Sequence, residues 1–471
     1  MKLMHRSFVL VFIFISLMSY SQSKIRIACV GNSITFGATI NNRESNSYPA
    51  QLAAMFGENY EVRNFGKNGA TLLRKGNYPY RTCPEYTQAI EFQPDLVFIK
   101  LGTNDSKPVN RPFLNEFMQD YKDLITSFQR LPNHPKVVLL LPVPSFTTDT
   151  LGITAKVINE NILPMVRQTA YETGCELINL YNLLIESPLL FPDKIHPDEK
   201  GATIIAGRIC EYIHLKTDLK FSLSKILPKD ANTFNFYGFQ GYDFIFKNKN
   251  AKIVTPRYAA KGHPWVWRAR FWGHEPQTDI ALLERGFHVV YCDVSELFGN
   301  KEALSIWNDY YNLLTGAGLA KKAVMEGMSR GGVYVYRWAA NYPKRVTAVY
   351  ADAPVLDLKS WPGGKGQSKG NPESWEAFKL DFNFETENEA VTFNGNPVDL
   401  TKKLAKAGFP MLHVVGDADD VVPVSENTTI FEQKIREAGG TIQVIHKPGI
   451  GHHPHSLLNP QPIVDFIMRT Q

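Results

Sequence analysis

The sequence predicts two α/β domains joined in tandem, and three observations carry that reading. Short β-rich apolar runs alternate with longer amphipathic stretches, the pattern of parallel sheets covered by helices. The rhythm breaks once, over residues 216–231, where "SLSKILPKD" mixes polar residues with Pro228, and then it resumes. A chain of 471 residues also exceeds what one core usually supports, while 44% hydrophobic and 21% charged residues is an ordinary globular composition.

In the first half, "KIRIACV", "DLVFIKLG", "KVVLLLPV" and "ELINLY" read as buried strands. The predicted organisation is a leader over residues 1–21, a first domain over 22–215, a linker over 216–231 and a second domain over 232–471. The second domain opens with antiparallel-looking material, "FNFYGF", "YDFIF", "AKIVTP" and "WVWRARFW". It continues with the strands "HVVYCDV", "AVMEGMS", "VTAVYADA", "MLHVVGDA" and "TIQVIHKP", separated by helix-length segments such as 424–438.

Lys2 and Arg6 before the apolar run Phe8 to Met18, then small residues around Ser19 and Ser21, are the pattern of a cleaved secretory leader. The run is too short to cross about 30 Å of hydrocarbon comfortably, so we expect a secreted or periplasmic protein without a stable membrane anchor. A net charge of +5, scattered without like-charge blocks, gives no reason to expect a nucleic-acid partner. Cys29, Cys83, Cys175, Cys210 and Cys292 form no metal-type spacing, and Cys29 and Cys292 sit in strand-like runs as small buried hydrophobes.

Directly after the first strand, "GNSITFG" places Ser33 where open α/β sheets bind their ligands. Gly69 in "NFGKNGAT", Asn104 in "LGTND", and Asp193 with His196 in "FPDKIHPDEKGA" follow in order. A spacing of three lets Asp193 orient His196, which can then take the proton of Ser33 as general base. Together these blocks resemble the SGNH/GDSL hydrolase family, a flavodoxin-like sandwich. The resemblance implies that Ser33 is the nucleophile, His196 the base and Asp193 its partner. It also implies an oxyanion hole made by the Ser33 N–H, the Gly69 N–H and the Asn104 amide. Asn32 stands where the commonest pattern has an aspartate, and "GNSIT" resembles the carbohydrate-esterase side of the family.

"KKAVMEGMSRGG" runs from a strand through Gly327, Ser329 and Gly331 into a helix, the G-x-S-x-G nucleophile elbow. The α/β-hydrolase order requires an acid and then a histidine downstream. "GDADDVVP" offers Asp417, Asp419 and Asp420, and resemblance to the family's acid turn selects Asp419. "KPGIGHHPHS" offers His452, His453 and His455; the family's Gly-His pattern selects His452, with His453 in reserve. The oxyanion donors expected here are the Arg330 N–H and one from the loop after the third strand, for which Trp272 and Gly273 are the candidates. The histidine cluster could suggest zinc. Pro454 and the lack of a second local ligand cluster argue for a reaction needing no metal or cofactor.

"GHPWVWRARFWGHEP" concentrates Trp265, Trp267, Trp272, Arg268, Arg270, His263 and His274 beside that loop. Such a set could hold a sugar carrying a carboxylate, or its tryptophans could simply be core. The combined resemblance implies a secreted bifunctional carbohydrate esterase that removes O-acetyl groups at the first site and acetyl or methyl esters at the second, from plant or algal glycans. The alternatives are one active domain beside a silent binding module, or a peptidase of prolyl-oligopeptidase type. Lipase action would need an apolar lid that neither serine's surroundings supply.

Overall fold

The computed structural model describes residues 24–148 and 152–471, so the leader read over residues 1–21 lies outside the described residues. In the first half, β1 (Ile25–Gly31), β2 (Tyr60–Gly66), β3 (Leu96–Lys100), β4 (Lys136–Leu140) and β5 (Glu176–Ile178) form one sheet in the order β2-β1-β3-β4-β5. Every neighbouring pair is parallel. This order reverses direction at β1, which opens a crevice at the ends of β1 and β3, the usual ligand position in such sheets. Alternate side chains enter opposite cores: Ala28, Val30, Val97 and Ile99 on one face, Ile27, Cys29 and Phe98 on the other. Strands buried on both faces read as unbroken apolar runs. The edge strand β2 does not, because only Phe65 and Gly66 of it are buried, and the sequence reading passed over it.

In the second half, β6 (Thr217–Asp218) and β10 (Ala259–Ala260) form a small ribbon. The main sheet contains β7 (Asn232–Phe236), β8 (Phe239–Phe246), β9 (Lys249–Thr255), β11 (Trp265–Ala269), β12 (His288–Cys292), β13 (Ala323–Met328), β14 (Val346–Asp352), β15 (Met411–Gly416) and β16 (Ile442–Lys447). Their order is β16-β15-β14-β13-β11-β12-β9-β8-β7. The strands β7 to β9 are antiparallel, as is the β9–β12 pair. The sequence placed "WVWRARFW" with this antiparallel group, and the structure corrects it: β11 is parallel to both β12 and β13. All five of its residues are buried, so it is a central strand whose polar residue is paired internally.

The helix expected over 424–438 begins at Thr428. Asn427 explains the late start, because its Oδ1 accepts the Leu356 and Asp357 N–H groups at 2.9 and 3.1 Å, which holds its backbone out of helical geometry.

The segment 216–231 is tied to the second domain. Asp218 bonds His263 at 3.0 Å, Phe221 stacks on that ring at 3.7 Å, and Leu223 enters the large core. The two domains then meet across a polar seam. Arg208 reaches Glu284 at 3.0 Å, and Arg285 grips Glu211 through two bonds of 2.6 and 2.9 Å. Glu284 also accepts the Asn179 N–H, while Asn182 donates to the Leu458 carbonyl and Glu186 accepts the Asn459 N–H. Burial pushes the Glu284 carboxyl up against the pull of Arg208 and Arg285. Among the described residues, no helix is long and apolar enough to cross a membrane.

Candidate active sites

Ser33 follows β1 as the first residue of a short helix, Ser33–Phe36, capped by Asn32, whose side chain accepts the Ile34 N–H at 3.2 Å. The same Oδ1 receives Lys100 Nζ at 3.3 Å from the end of β3. Burial drives the Lys100 ammonium well below its usual range, and its other hydrogen-bond partner is the Thr103 hydroxyl at 3.1 Å. Lys100 thus donates to an amide oxygen and a hydroxyl, with no carboxylate partner among the described residues.

His196 Nε2 lies 2.8 Å from Ser33 Oγ, and its Nδ1 lies 2.6 Å from Asp193 Oδ2. Lys194 takes a left-handed backbone conformation at φ 66°, and this tight turn brings both side chains to one side. Asp193 Oδ1 accepts the Ile195 and His196 N–H groups at 2.9 and 2.7 Å. Partial burial raises this carboxyl, but the bonds from the His196 ring and the two N–H groups outweigh that and hold it below the usual range. An ionised carboxylate only accepts, so His196 Nδ1 carries the hydrogen and Nε2 is free to accept from Ser33.

Gly69 sits at φ 75° in the loop after β2. Asn104 follows β3 and spends one amide hydrogen on the Ala70 carbonyl at 3.0 Å, leaving the other. Asp105 anchors the same loop by accepting the Leu72 and Leu73 N–H groups at 3.1 and 2.8 Å; burial lifts its carboxyl to about 6. All five residues singled out for this site therefore lie on the loops at one end of the sheet.

In the second site, Ser329 is held at φ 49°, a strained conformation made possible by the flanking glycines. A Cβ on Gly327 would lie 2.7 Å from the Gly331 carbonyl oxygen, and one on Gly331 would lie 2.7 Å from that of Ala269. His452 Nε2 is 2.9 Å from Ser329 Oγ, and its Nδ1 is 2.7 Å from Asp419 Oδ2. Asp419 Oδ1 accepts the Val421 and Val422 N–H groups at 2.9 and 2.8 Å. The rejected acids lie elsewhere: Asp417 pairs with His446 and Asp420 with Lys369, both on the surface. His453, the reserve choice, is exposed and away from the Ser329 hydroxyl, while His455 is buried with its Nδ1 2.9 Å from Asp352.

The Arg330 N–H donates to no backbone carbonyl among the described residues, as an oxyanion donor requires. Trp272 and Gly273 lie in the loop after β11, yet the Trp272 ring packs against Phe236 and Tyr291 at 5.3 and 5.6 Å. That loop takes its shape from Arg268, which donates to the Phe271 and His274 carbonyls and pairs with Asp279 and Glu326. Burial, together with the neighbouring Asp279 carboxyl, pushes the Glu326 carboxyl well above the carboxylate range against the pull of Arg268.

Of the two readings left open for the aromatic segment, these contacts favour the core. Trp265 and Trp267 are core, packed with Trp307 and Trp338, and Arg268 is 1% exposed with its donors spent internally. His263 latches the linker segment, and Arg270 bonds Ser295 and Glu296. Of that set, His274 alone joins the histidines beside the triad: its ring and those of His453 and His455 bring nitrogens within 4.8 Å of one another.

Both domains thus present a serine, a histidine and an aspartate in hydrogen-bonded series, and the class they define is a two-domain α/β protein with a serine-hydrolase type of site in each domain. Residues 29–204 match the model of the GDSL-like Lipase/Acylhydrolase family, and residues 315–467 match that of the Prolyl oligopeptidase family. The first domain is therefore a GDSL-like acylhydrolase domain, and the second an α/β-hydrolase domain.

Among curated proteins, the chain is 38% identical over 210 residues to an acetylxylan esterase of Xylanibacter ruminicola, an alignment covering 41% of this chain and 44% of that protein's length. Among solved structures, Est24, a carbohydrate acetylesterase from Sinorhizobium meliloti, is 19% identical, with a TM-score of 0.34 over 40% of this chain and 98% of its own. An acylaminoacyl peptidase of Pyrococcus horikoshii is 15% identical, with a TM-score of 0.38 over 51% of this chain and 41% of its own.

Proposed function

We propose that this protein is a secreted carbohydrate esterase with two working serine sites, and that it removes O-acetyl groups from plant-type polysaccharides. The observation that carries the reading is the presence of two complete Ser–His–Asp series, one in each domain. The acetylxylan esterase that the chain resembles over 210 residues supports acetyl xylan as the first substrate to try. The leader pattern over residues 1–21 supports export.

At each site the serine attacks the ester carbonyl while His196 or His452 takes its proton. The oxyanion is met in the first site by the Ser33 and Gly69 N–H groups and the Asn104 amide, and in the second by the Arg330 N–H and the loop after β11. The same histidine then protonates the departing sugar hydroxyl and activates the water that releases acetate. A methyl-esterase role for the second site no longer has the arginine argument behind it, since Arg268 is spent inside the protein. Acetyl ester is therefore the first choice at both sites.

The test is release of acetate and of methanol from acetylated and methyl-esterified plant polysaccharides by wild type, Ser33→Ala, Ser329→Ala and the double variant. Each single variant is expected to lose a different part of the acetate release, and the double variant all of it. If Ser33→Ala leaves every activity intact, the first domain is a silent module. The family model over residues 315–467 favours a second reading, peptide hydrolysis at Ser329, which amine release from peptides lost in Ser329→Ala would establish.

A further inference from the structure

We infer that His274, His453 and His455 form a binding site for a divalent first-row transition cation, with zinc as the representative ion. Their ring nitrogens lie within 4.8 Å of one another. The rings meet at 90°, 81° and 75°, with centroids 5.7, 5.9 and 4.7 Å apart, so they surround a common point and do not stack. Tetrahedral zinc with Zn–N of about 2.0–2.1 Å places ligand nitrogens about 3.4 Å apart. His274 and His453 are exposed and can close that gap by ring rotation.

The third ligand is already oriented. His455 is buried, and its Nδ1 bonds Asp352 Oδ1 at 2.9 Å, which leaves Nε2 to face the cluster. Asp352 is in turn fixed by the Tyr350 hydroxyl and the Ser456 N–H at 2.9 and 2.8 Å. A carboxylate behind a histidine is the common arrangement behind metal-bound imidazole, where it sets tautomer and direction. Neither the His453 ring nor the His274 ring has a hydrogen-bond partner among the described residues; His274 Nε2 lies 4.0 Å from Glu275 Oε2. His452 is not a ligand, because both of its ring nitrogens are engaged by Ser329 and Asp419. All-imidazole donors select zinc, copper or nickel over magnesium or calcium.

The site joins two loops that serve the second active centre: His274 belongs to the loop after β11, and His453 and His455 follow the catalytic histidine. The bound cation is thus a strut that holds the oxyanion side of the pocket against the histidine side, with a fourth position open to water.

The test is calorimetric titration of chelator-treated full-length mature protein with zinc, with magnesium as control, on wild type, His274→Ala, His453→Ala and Ser329→Ala. Wild type and Ser329→Ala are expected to bind one equivalent of zinc. His274→Ala and His453→Ala should each weaken it at least about tenfold. Cobalt in place of zinc should give visible d–d absorption in wild type, a readout that needs no variant to fold. Absence of saturable zinc binding in wild type, or binding unchanged in both histidine variants, overturns the assignment. Because no step depends on turnover, failure of the esterase reading leaves this test intact.

Discussion

The two active centres solve one geometric problem in opposite ways. In the first, the acid and the base are three residues apart on a single turn, and only the serine comes from elsewhere. In the second, Ser329, Asp419 and His452 arrive from three separate loops of a nine-stranded sheet. Yet each aspartate uses one oxygen to accept two backbone N–H groups and the other to hold the histidine. The local turn leaves its acid open to water, with the Asp193 side chain 39% exposed, whereas Asp419 is 1% exposed. The same hydrogen bonds therefore carry different weight: loss of a buried acceptor leaves its donors unpaired, while donors near the surface find water.

The largest expected effects separate the two centres outright. Ser33→Ala and Ser329→Ala should each lower kcat at their own site by about a million-fold and leave the other site untouched. Site-resolved acetate release checks this, and loss of both activities in one variant would mean the sites are not independent.

Next come Asp193→Ala and Asp419→Ala. Each should cost about 10^4 in kcat at its own site. Their thermal stabilities should differ, with Asp419→Ala losing about 2–4 kcal/mol and Asp193→Ala about 1 kcal/mol or less. Equal losses in chemical denaturation would show that burial does not distinguish the two acids.

Asn104→Ala tests the side-chain donor assigned to the first centre. It should reduce kcat at the first site by about 10^2–10^3 with little change in KM, because the bond strengthens as the oxyanion forms. A change confined to KM would remove Asn104 from the oxyanion hole.

The smallest effect concerns pH. Asp105, lifted by burial to about 6, binds its proton more tightly in the folded than in the unfolded chain, where the value is about 3.9. Its stabilising contribution is thus complete below about pH 4 and is lost as pH rises through about 6. The difference in unfolding free energy between wild type and Asp105→Asn, from chemical denaturation, should therefore shift against wild type from pH 4 to pH 7 by on the order of 2 kcal/mol. A constant difference would refute it.

What the sequence made legible follows from how local each signal is. The Asp193–His196 turn, the elbow around Ser329 and the buried central strands are all written in contiguous residues. The edge strand β2 was missed because one solvated side breaks its apolar run. The direction of β11 was misread because pairing is decided by β12 and β13, far along the chain. Arg268 looked available for substrate for a related reason: its partners Asp279 and Glu326 stand on other elements. The meeting of His274 with His453 and His455 had no local signal either. Metal spacing is recognised along one segment, and here His274 comes from a loop on another part of the sheet.

The polar seam between the domains makes the fusion more than a tether. Leu458 and Asn459, whose backbones bond Asn182 and Glu186 of the first domain, come six and seven residues after His452. The loop that carries His452 is thus moored on the first domain. Excising the second domain removes that mooring without altering a single residue of its triad. The halves are not interchangeable cassettes, and activity at Ser329 should be lower in the excised domain than in the intact chain assayed on the same substrate.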